Sequence, residues 1–383
     1  MIALAAGLAT LAIWGGLILA RDGFWLARER DDRDDVPDPG AWPAVTAIVP
    51  ARDEADVIAR SLGSLLDQDY PGPFRVILVD DASSDGTAGI ARAAAAARGA
   101  ERLEILTGAA LPAGWTGKLW ALSQGISRAA ETAPPAYLLL TDADIVHRAD
   151  NLRRLVARAE ARGLSLVSLM ARLRCQSLAE RALIPAFVFF FQMLYPFARV
   201  NRPGAGGGAA AGGCMLVARP ALERAGGVGA VRGALIDDCA FGALMKRQGA
   251  IWLGLTDRAV SIRRYDSFAS VAAMISRSAY AQLRYSPLLL TGAMTGLALT
   301  YGAPPLLALF SHGGAQVAGV TAWLLMTLAF QPMLRFYGRS PLWGPALPLI
   351  AAFYAGCTLQ SAWQHGRGRG GMWKGRAQAA MSR

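Results

Sequence analysis

Paired carboxylates recur at three places in this chain. They are Val79-Asp80-Asp81-Ala82-Ser83-Ser84-Asp85-Gly86-Thr87, Thr141-Asp142-Ala143-Asp144 and Ile236-Asp237-Asp238-Cys239-Ala240-Phe241-Gly242. Carboxylates in one site can do three kinds of work. They accept hydrogen bonds from a bound nucleoside, they hold a hard divalent cation whose other positions go to water or phosphate, and they take a proton from an attacking hydroxyl. In the first cluster an apolar run stops in two acids and small turn residues, so Asp80 and Asp81 suit a base or ribose. A plain helix start would use Ser83, Ser84 and Asp85 as caps equally well. In the second, acids at i and i+2 of an extended chain project to one side, which suits a shared cation, although a surface turn has the same composition. The third opens a helix-like stretch, Phe241 to Lys246. A carboxylate there can act as a general base, while the helix macrodipole alone also favours Asp at that place.

These clusters need a scaffold that carries distant stretches to one edge. Val45 to Val49, Arg75 to Val79, Leu103 to Leu106 and Tyr137 to Leu140 read as short strands, and Glu54 to Leu66 and Ala88 to Ala97 read as helices between them. The alternation predicts an α/β fold whose mainly parallel sheet is covered on both faces, and such sheets place ligands at the carboxyl ends of their strands. The first two acidic clusters stand at such ends. Lys118 can reach a phosphate, although a lone lysine is usually a solvated surface residue. The run Gly204 to Gly213 reads by composition as a flexible linker, and its small residues would also admit close backbone approach to a ligand.

The two ends of the chain are different. Ile2 to Ala20 is an uncharged apolar run close to the roughly 20 residues that a membrane-spanning helix requires. No basic segment precedes it, while Arg21, Arg28, Arg30 and Arg33 follow, which predicts an anchor with a cytoplasmic domain after it and not a cleaved leader. Residues 22–43 read as a solvated linker and residues 44–287 as the catalytic domain. Within that domain an aromatic helix near 183–198, uncharged and short for a span, suits an interfacial helix flooring an acceptor groove, with a core helix as the plain alternative. Leu288 to Phe310, Gln316 to Leu334 and Leu342 to Trp363 are apolar blocks long enough to cross, followed by a basic tail over residues 364–383. Three full crossings would strand Arg367, Arg369, Lys374 and Arg376 on the far side, so Leu342 to Trp363, with Pro345 and Pro348, is expected to be re-entrant or interfacial.

Composition narrows the function classes. The net charge of +11 is spread among acids and not gathered into a basic helix, which argues against nucleic acid and for an anionic membrane surface. Four cysteines without C-x-x-C spacing and three histidines make a zinc site improbable, and small buried thiols in a reducing compartment account for the cysteines. A transporter would need more helices and intramembrane ionisable residues.

The order Ile48-Val49-Pro50-Ala51-Arg52-Asp53-Glu54, then the three acidic clusters, resembles glycosyltransferase family 2 and the related ceramide glucosyltransferases over roughly Ala44 to Tyr285. Gly114-Trp115-Thr116-Gly117-Lys118, Gly213-Cys214-Met215-Leu216-Val217 and Gln282-Leu283-Arg284-Tyr285-Ser286-Pro287 resemble the hopene-associated members. The resemblance implies a GT-A fold, an inverting displacement and a divalent cation, Mg2+ or Mn2+. It implies that Pro50, Ala51, Asp53 and Glu54 border the nucleoside with Asp80 and Asp81. Asp142 and Asp144 would take the diphosphate and metal, Asp238, with Asp237 beside it, would be the base, and Lys118, Arg284 and Tyr285 would lie on the donor. The family's fourth motif is altered, with Tyr285 for Trp and Ala281 where Gln or Arg is expected. The tail Trp373-Lys374-Gly375-Arg376 resembles that of membrane relatives, where a cytoplasmic donor-side role is implied. The implied reaction passes a sugar from a UDP-sugar to a hopanoid, polyprenoid or sphingolipid-like acceptor at the bacterial inner membrane. A processive polysaccharide synthase and a non-catalytic scaffold of the same shape are the alternatives.

Overall fold

The computed structural model describes residues 1–99 and 101–368, with Met372–Trp373 and Arg376–Ala377 as a short antiparallel pair; Arg369, Lys374 and Gly375 of the expected tail lie outside the described residues. The chain divides into two compact units. A sheet unit takes Glu29–Arg174 and Arg199–Arg263, and a helical unit takes Met1–Arg28, Cys175–Ala198 and residues 264–368. The expected continuous domain over 44–287 is therefore interrupted, because Cys175–Ala198 and the chain after Arg263 join the apolar terminal helices.

The sheet unit holds β1 (Val45–Ala51), β2 (Phe74–Asp80), β3 (Leu103–Thr107), β4 (Tyr137–Thr141), β5 (Ile145–His147), β6 (Leu166–Arg172), β7 (Cys214–Ala218) and β8 (Ile251–Ser261), in the order β3-β2-β1-β4-β7-β6-β8-β5. Strands β3, β2, β1 and β4 pair in parallel, β7 is antiparallel to both β4 and β6, β8 is parallel to β6, and β5 returns antiparallel along β8. The ends of β1, β2, β4, β6 and β8 thus share one edge. Every residue of β1 is buried, as expected of a strand covered on both faces. Helix Gly117–Thr132 lies against it at Gly125, where a Cβ would come within 2.5 Å of Ile48 Cγ2, so only glycine permits this approach.

Two expectations for this unit are corrected. The helix expected from Glu54 begins at Ile58, because the amides of Asp53, Glu54 and Ala55 are spent on the side chains of Ser83, Thr87 and Asp85 instead. The linker is also not wholly solvated: it docks at Glu29, Asp31 and Asp34, while Asp32, Arg33, Asp35, Pro37 and Asp38 stay exposed. The Asp31 amide and the Glu29 carbonyl bond Leu255 of β8 at 3.1 and 2.9 Å, Asp31 takes a hydrogen bond from Thr256 Oγ1 at 2.7 Å, and Asp34 pairs with Arg158 at 2.9 Å. A charge run that matches basic partners on β8 and on helix Asn151–Arg162 docks as a strap. Burial raises the Asp31 carboxyl pKa, opposed by Thr256 and Arg258.

In the helical unit, Ile2–Ala20, Pro287–Phe310 and Gly313–Phe336 are long and apolar enough to cross a membrane. Their outward faces carry exposed Leu8, Leu306, Phe310, Val317 and Leu328, as lipid-facing surfaces do. Small residues let them pack closely: a Cβ on Gly7 would lie 3.0 Å from Ala318 Cβ, and one on Gly319 2.8 Å from the Ala308 nitrogen. Pro304 leaves the Thr300 carbonyl without its helical donor, the helix passes through a π turn over Ala298–Gly302, and the buried Trp14 donates Nε1–H to that carbonyl at 2.8 Å. Leu347–Gly366 forms a helix of 20 residues, but Gln360, Ser361, Gln364 and His365 keep it outside the spanning set. The aromatic helix runs from Leu178 to Leu194 behind a Ser177–Glu180 capping box. Its middle is enclosed by apolar helices, with Phe189 5.2 Å from Phe330, as the core-helix alternative describes.

Candidate functional site

At the ends of β1 and β2, two loops are laced together. Ser83 Oγ accepts from the Asp53 amide at 3.0 Å, Asp53 Oδ1 accepts from the Ser84 amide at 2.7 Å, Thr87 Oγ1 accepts from the Glu54 amide at 2.9 Å, and Asp85 Oδ2 accepts from the Ala55 amide at 2.9 Å. Ser83 and Ser84 are therefore not helix caps; Gly86 precedes the helix Thr87–Ala96 in a left-handed conformation. Asp81 is 3% exposed, its amide donates to the Ala51 carbonyl at 2.8 Å, and Arg52 Nη1 stands 3.8 Å from its carboxylate. Asp80 Oδ1 caps the Ser83 amide at 3.1 Å. Asp53 and Ala82 hold φ of +49° and +54°, a strained backbone for non-glycine residues of the kind that clusters at binding loops. Pro50 and Ala51 lie inside β1 and are buried.

Beside this pair, at the end of β4 and the start of β7, a second group is held by charge. Lys118 Nζ, from the first turn of helix Gly117–Thr132, lies 2.8 Å from Asp142 Oδ1 and 3.5 Å from Asp237 Oδ2. Burial works against its charge, but Asp142, Asp237 and Asp238 more than offset this and raise its pKa. Burial raises Asp142 too, with Lys118 pulling the other way and Asp144 adding to it. Asp238 accepts from the Cys239 amide at 2.7 Å and the Gly212 amide at 3.1 Å. Burial and the neighbouring Asp237 push its carboxyl up to about 6, against Lys118 and both amides.

The glycine-rich run is not a free linker where it meets this group. Ala209 and Ala210 are fully buried, and a Cβ on Gly242 would sit 2.3 Å from the Ala209 carbonyl carbon, so helix Asp237–Lys246 packs on the run itself. A Cβ on Gly212 would lie 3.1 Å from Lys118 Nζ and 3.3 Å from Asp238 Cβ, which shows how closely backbone enters the site. An open depression of about 580 Å³, lined by residues 229–234 and Ala240, adjoins the start of the same helix.

A residue that sequence reasoning missed joins the two groups. Arg263, two places beyond β8, donates from Nη2 to Glu54 Oε1 and Oε2 at 2.7 Å each, and its Nε lies 3.4 Å from Asp144 Oδ2, which also accepts from Ser261 Oγ at 2.6 Å. The apolar strand Ile251–Ser261 followed by Arg263-Arg264 was the available signal, because it ends at the same edge as the acids. Arg284 and Tyr285, expected on the donor, belong to the helical unit. There both take left-handed φ, +52° and +55°, and Tyr285 stacks on His365 at 4.2 Å. Gln282 Nε2 donates to Tyr195 Oη at 2.6 Å. His147 is buried near Thr141 and Asn151, and burial lowers its pKa to about 4, so it is a neutral core residue.

Among the described residues no three His, Cys, Asp or Glu side chains converge as a protein-only metal site. Asp142 and Asp144 nevertheless fit a hard cation chemically: they are oxygen donors at one strand end, and a cation there would complete its shell with diphosphate oxygens and water.

Residues 46–226 match the family described as Glycosyl transferase family 2. They form a glycosyl transferase family 2 domain. The chain is accordingly a transferase that moves a sugar, and its sheet unit is of the GT-A kind. The family match ends before Asp237, Asp238 and Arg263, which reach the glycosyltransferase domain through the fold. Mannosyltransferase PcManGT from Pyrobaculum calidifontis, solved with GDP-Man and Mn2+, shares the fold at a TM-score of 0.54 and 20% identity, over 94% of this chain and 99% of that one. TarS 1–349 from S. aureus, solved with UDP-GlcNAc, aligns at 0.40 and 15% identity over 85% and 92% of the two chains. Mannosyl-3-phosphoglycerate synthase from Rubrobacter xylanophilus aligns at 0.39 and 18% over 70% and 86%. No curated protein matches this sequence.

Proposed function

We propose that this glycosyltransferase is an inverting, cation-dependent enzyme that passes a sugar from a UDP-sugar to a membrane lipid, with a hopanoid as the leading acceptor. The observation that carries the reading is the meeting of Asp142, Asp237 and Asp238 on Lys118, with Asp144 one residue from Asp142. The laced loops at Asp53, Glu54, Asp80 and Asp81, with Pro50 and Ala51 behind them, take the nucleoside. Asp142 and Asp144 hold a Mg2+ or Mn2+ ion that, when bound, neutralises the departing diphosphate. Lys118 adds positive charge on the same side. Asp238, ionised above about pH 6, takes the proton of the acceptor hydroxyl as that oxygen forms its bond to the anomeric carbon and the diphosphate leaves. Arg284 and Tyr285 are assigned to the donor by the resemblance of their motif.

The three apolar helices support a membrane setting. With Ile2–Ala20 crossing toward the arginines, and Pro287–Phe310 and Gly313–Phe336 crossing out and back, the catalytic domain and Arg367 fall on the same, cytoplasmic side of a bacterial inner membrane. Helix Leu347–Gly366 then needs no crossing. The test is turnover by the purified full chain with a panel of UDP- and GDP-sugars and bacterial polar lipids, read by mass spectrometry. A lipid heavier by one hexose or N-acetylhexosamine is expected. A growing polymer would favour a processive synthase, and neither nucleotide release nor product would overturn the catalytic reading.

A further inference from the structure

The carboxylates assigned to the cation do not stand open. Asp142 is occupied by Lys118 at 2.8 Å, and Asp144 by Arg263 at 3.4 Å together with the Ser261 hydroxyl at 2.6 Å. Arg263 is itself anchored by both oxygens of Glu54, and Glu54 and Asp144 are only 5% and 8% exposed, so water screens these two carboxylates weakly. Guanidinium keeps its charge at every accessible pH. A divalent cation arriving alone would meet two positive groups already seated on its ligands, whereas a diphosphate arriving with it supplies the missing negative charge.

We propose that Arg263 is a place-holding cation: it stays on Asp144 until a nucleoside diphosphate arrives, so that a divalent metal is admitted only together with that diphosphate. Because the Glu54 amide is bonded to Thr87 in the nucleoside-side loops, the same arginine ties the seating of the nucleoside to the release of Asp144. It is a positioning residue, and it rests on the reading of Asp142 and Asp144 as cation ligands.

The test is Mn2+ binding to the full chain in detergent, followed by electron paramagnetic resonance of free Mn2+, with and without UDP. In the unmodified protein Mn2+ alone binds weakly, and UDP tightens it by about tenfold or more, within the usual range of coupling between two ligands. Arg263→Gln should raise the UDP-free affinity for Mn2+ by about tenfold and shrink the effect of UDP correspondingly. Arg263→Lys, which keeps the charge, should retain weak UDP-free binding. A misfolded chain could bind Mn2+ through scattered carboxylates, so the rise reports the role only where it depends on Asp144. An unchanged or lower UDP-free affinity in Arg263→Gln overturns the proposal. Adding Asp144→Asn to Arg263→Gln should abolish the gain. If Asp144→Asn alone leaves Mn2+ binding in the presence of UDP untouched, the ligand assignment fails as well, not only the role of Arg263.

Discussion

The two halves of the site are built differently. The half proposed for the nucleoside, loops 51–55 and 80–87, is tied by backbone amides donating to fixed side chains and by residues held at positive φ. The half proposed for the diphosphate and acceptor, Lys118 with Asp142, Asp237 and Asp238, is tied by charge. Amide bonds of the first kind have one geometry and preform a shape. Ion pairs of the second kind exchange partners when a new charge enters, which suits a place where a diphosphate arrives bound to a sugar and departs without it. Arg263 reaches across the two, with Nη2 on Glu54 and Nε beside Asp144.

Substitutions can break that contrast. The largest expected effect is in the charged half: Asp238→Asn should lower kcat about 10²- to 10⁴-fold, the range of a general base, with the UDP Kd changed less than about threefold. Equal losses in both would instead make Asp238 a binding residue. Next, Asp144→Ala should weaken Mn2+-dependent UDP binding by about tenfold or more, equivalent to about 1.4 kcal/mol, seen by calorimetry with and without Mn2+. A UDP affinity that does not respond to Mn2+ would contradict the assignment. Gly242→Ala places a Cβ 2.3 Å from a backbone carbon of the run beneath. It should cost about 1–3 kcal/mol in a denaturant melt, the usual range for overpacking. The smallest effect belongs to the laced half. Ser84→Ala removes one exposed hydroxyl bond to Asp53 and leaves the 2.7 Å amide bond, so it should cost about 0.5–1.5 kcal/mol of stability at most and leave kcat unchanged. A large kcat loss there would show that the loop's shape matters in the transition state.

Much of the sheet was legible because its strands announce themselves. Val45–Ala51, Phe74–Asp80 and Tyr137–Thr141 are apolar runs stopped by acids or turn residues, and covered strands need little else. The second half of the sheet was not read in the sequence. Strand β7 lies antiparallel between two strands that run the other way, and nothing local in Cys214–Ala218 states which neighbours it will find. The glycine-rich run misled for a related reason: composition gives flexibility in the free chain, while Ala209 and Ala210 become buried through contact with a helix that begins nearly thirty residues later. The acidic clusters were visible because paired aspartates are conspicuous. Arg263 was not, being one of 39 Lys and Arg residues, and only the end of β8 marks it. The strap after Glu29 was read as solvated because charge usually means water, and its docking depends on Arg158 and Arg258, far away in the sequence.

The base assignment is open to one direct measurement, the pH dependence of kcat/KM for the UDP-sugar, which reports the groups of the free enzyme. As the proposed base, Asp238 works only when ionised, and enclosure with Asp237 pushes its carboxyl up to about 6, so kcat/KM should be flat above that pH and fall about tenfold per unit below it. A rate that holds its plateau down to about pH 4.5, as an ordinary aspartate would allow, would contradict the account.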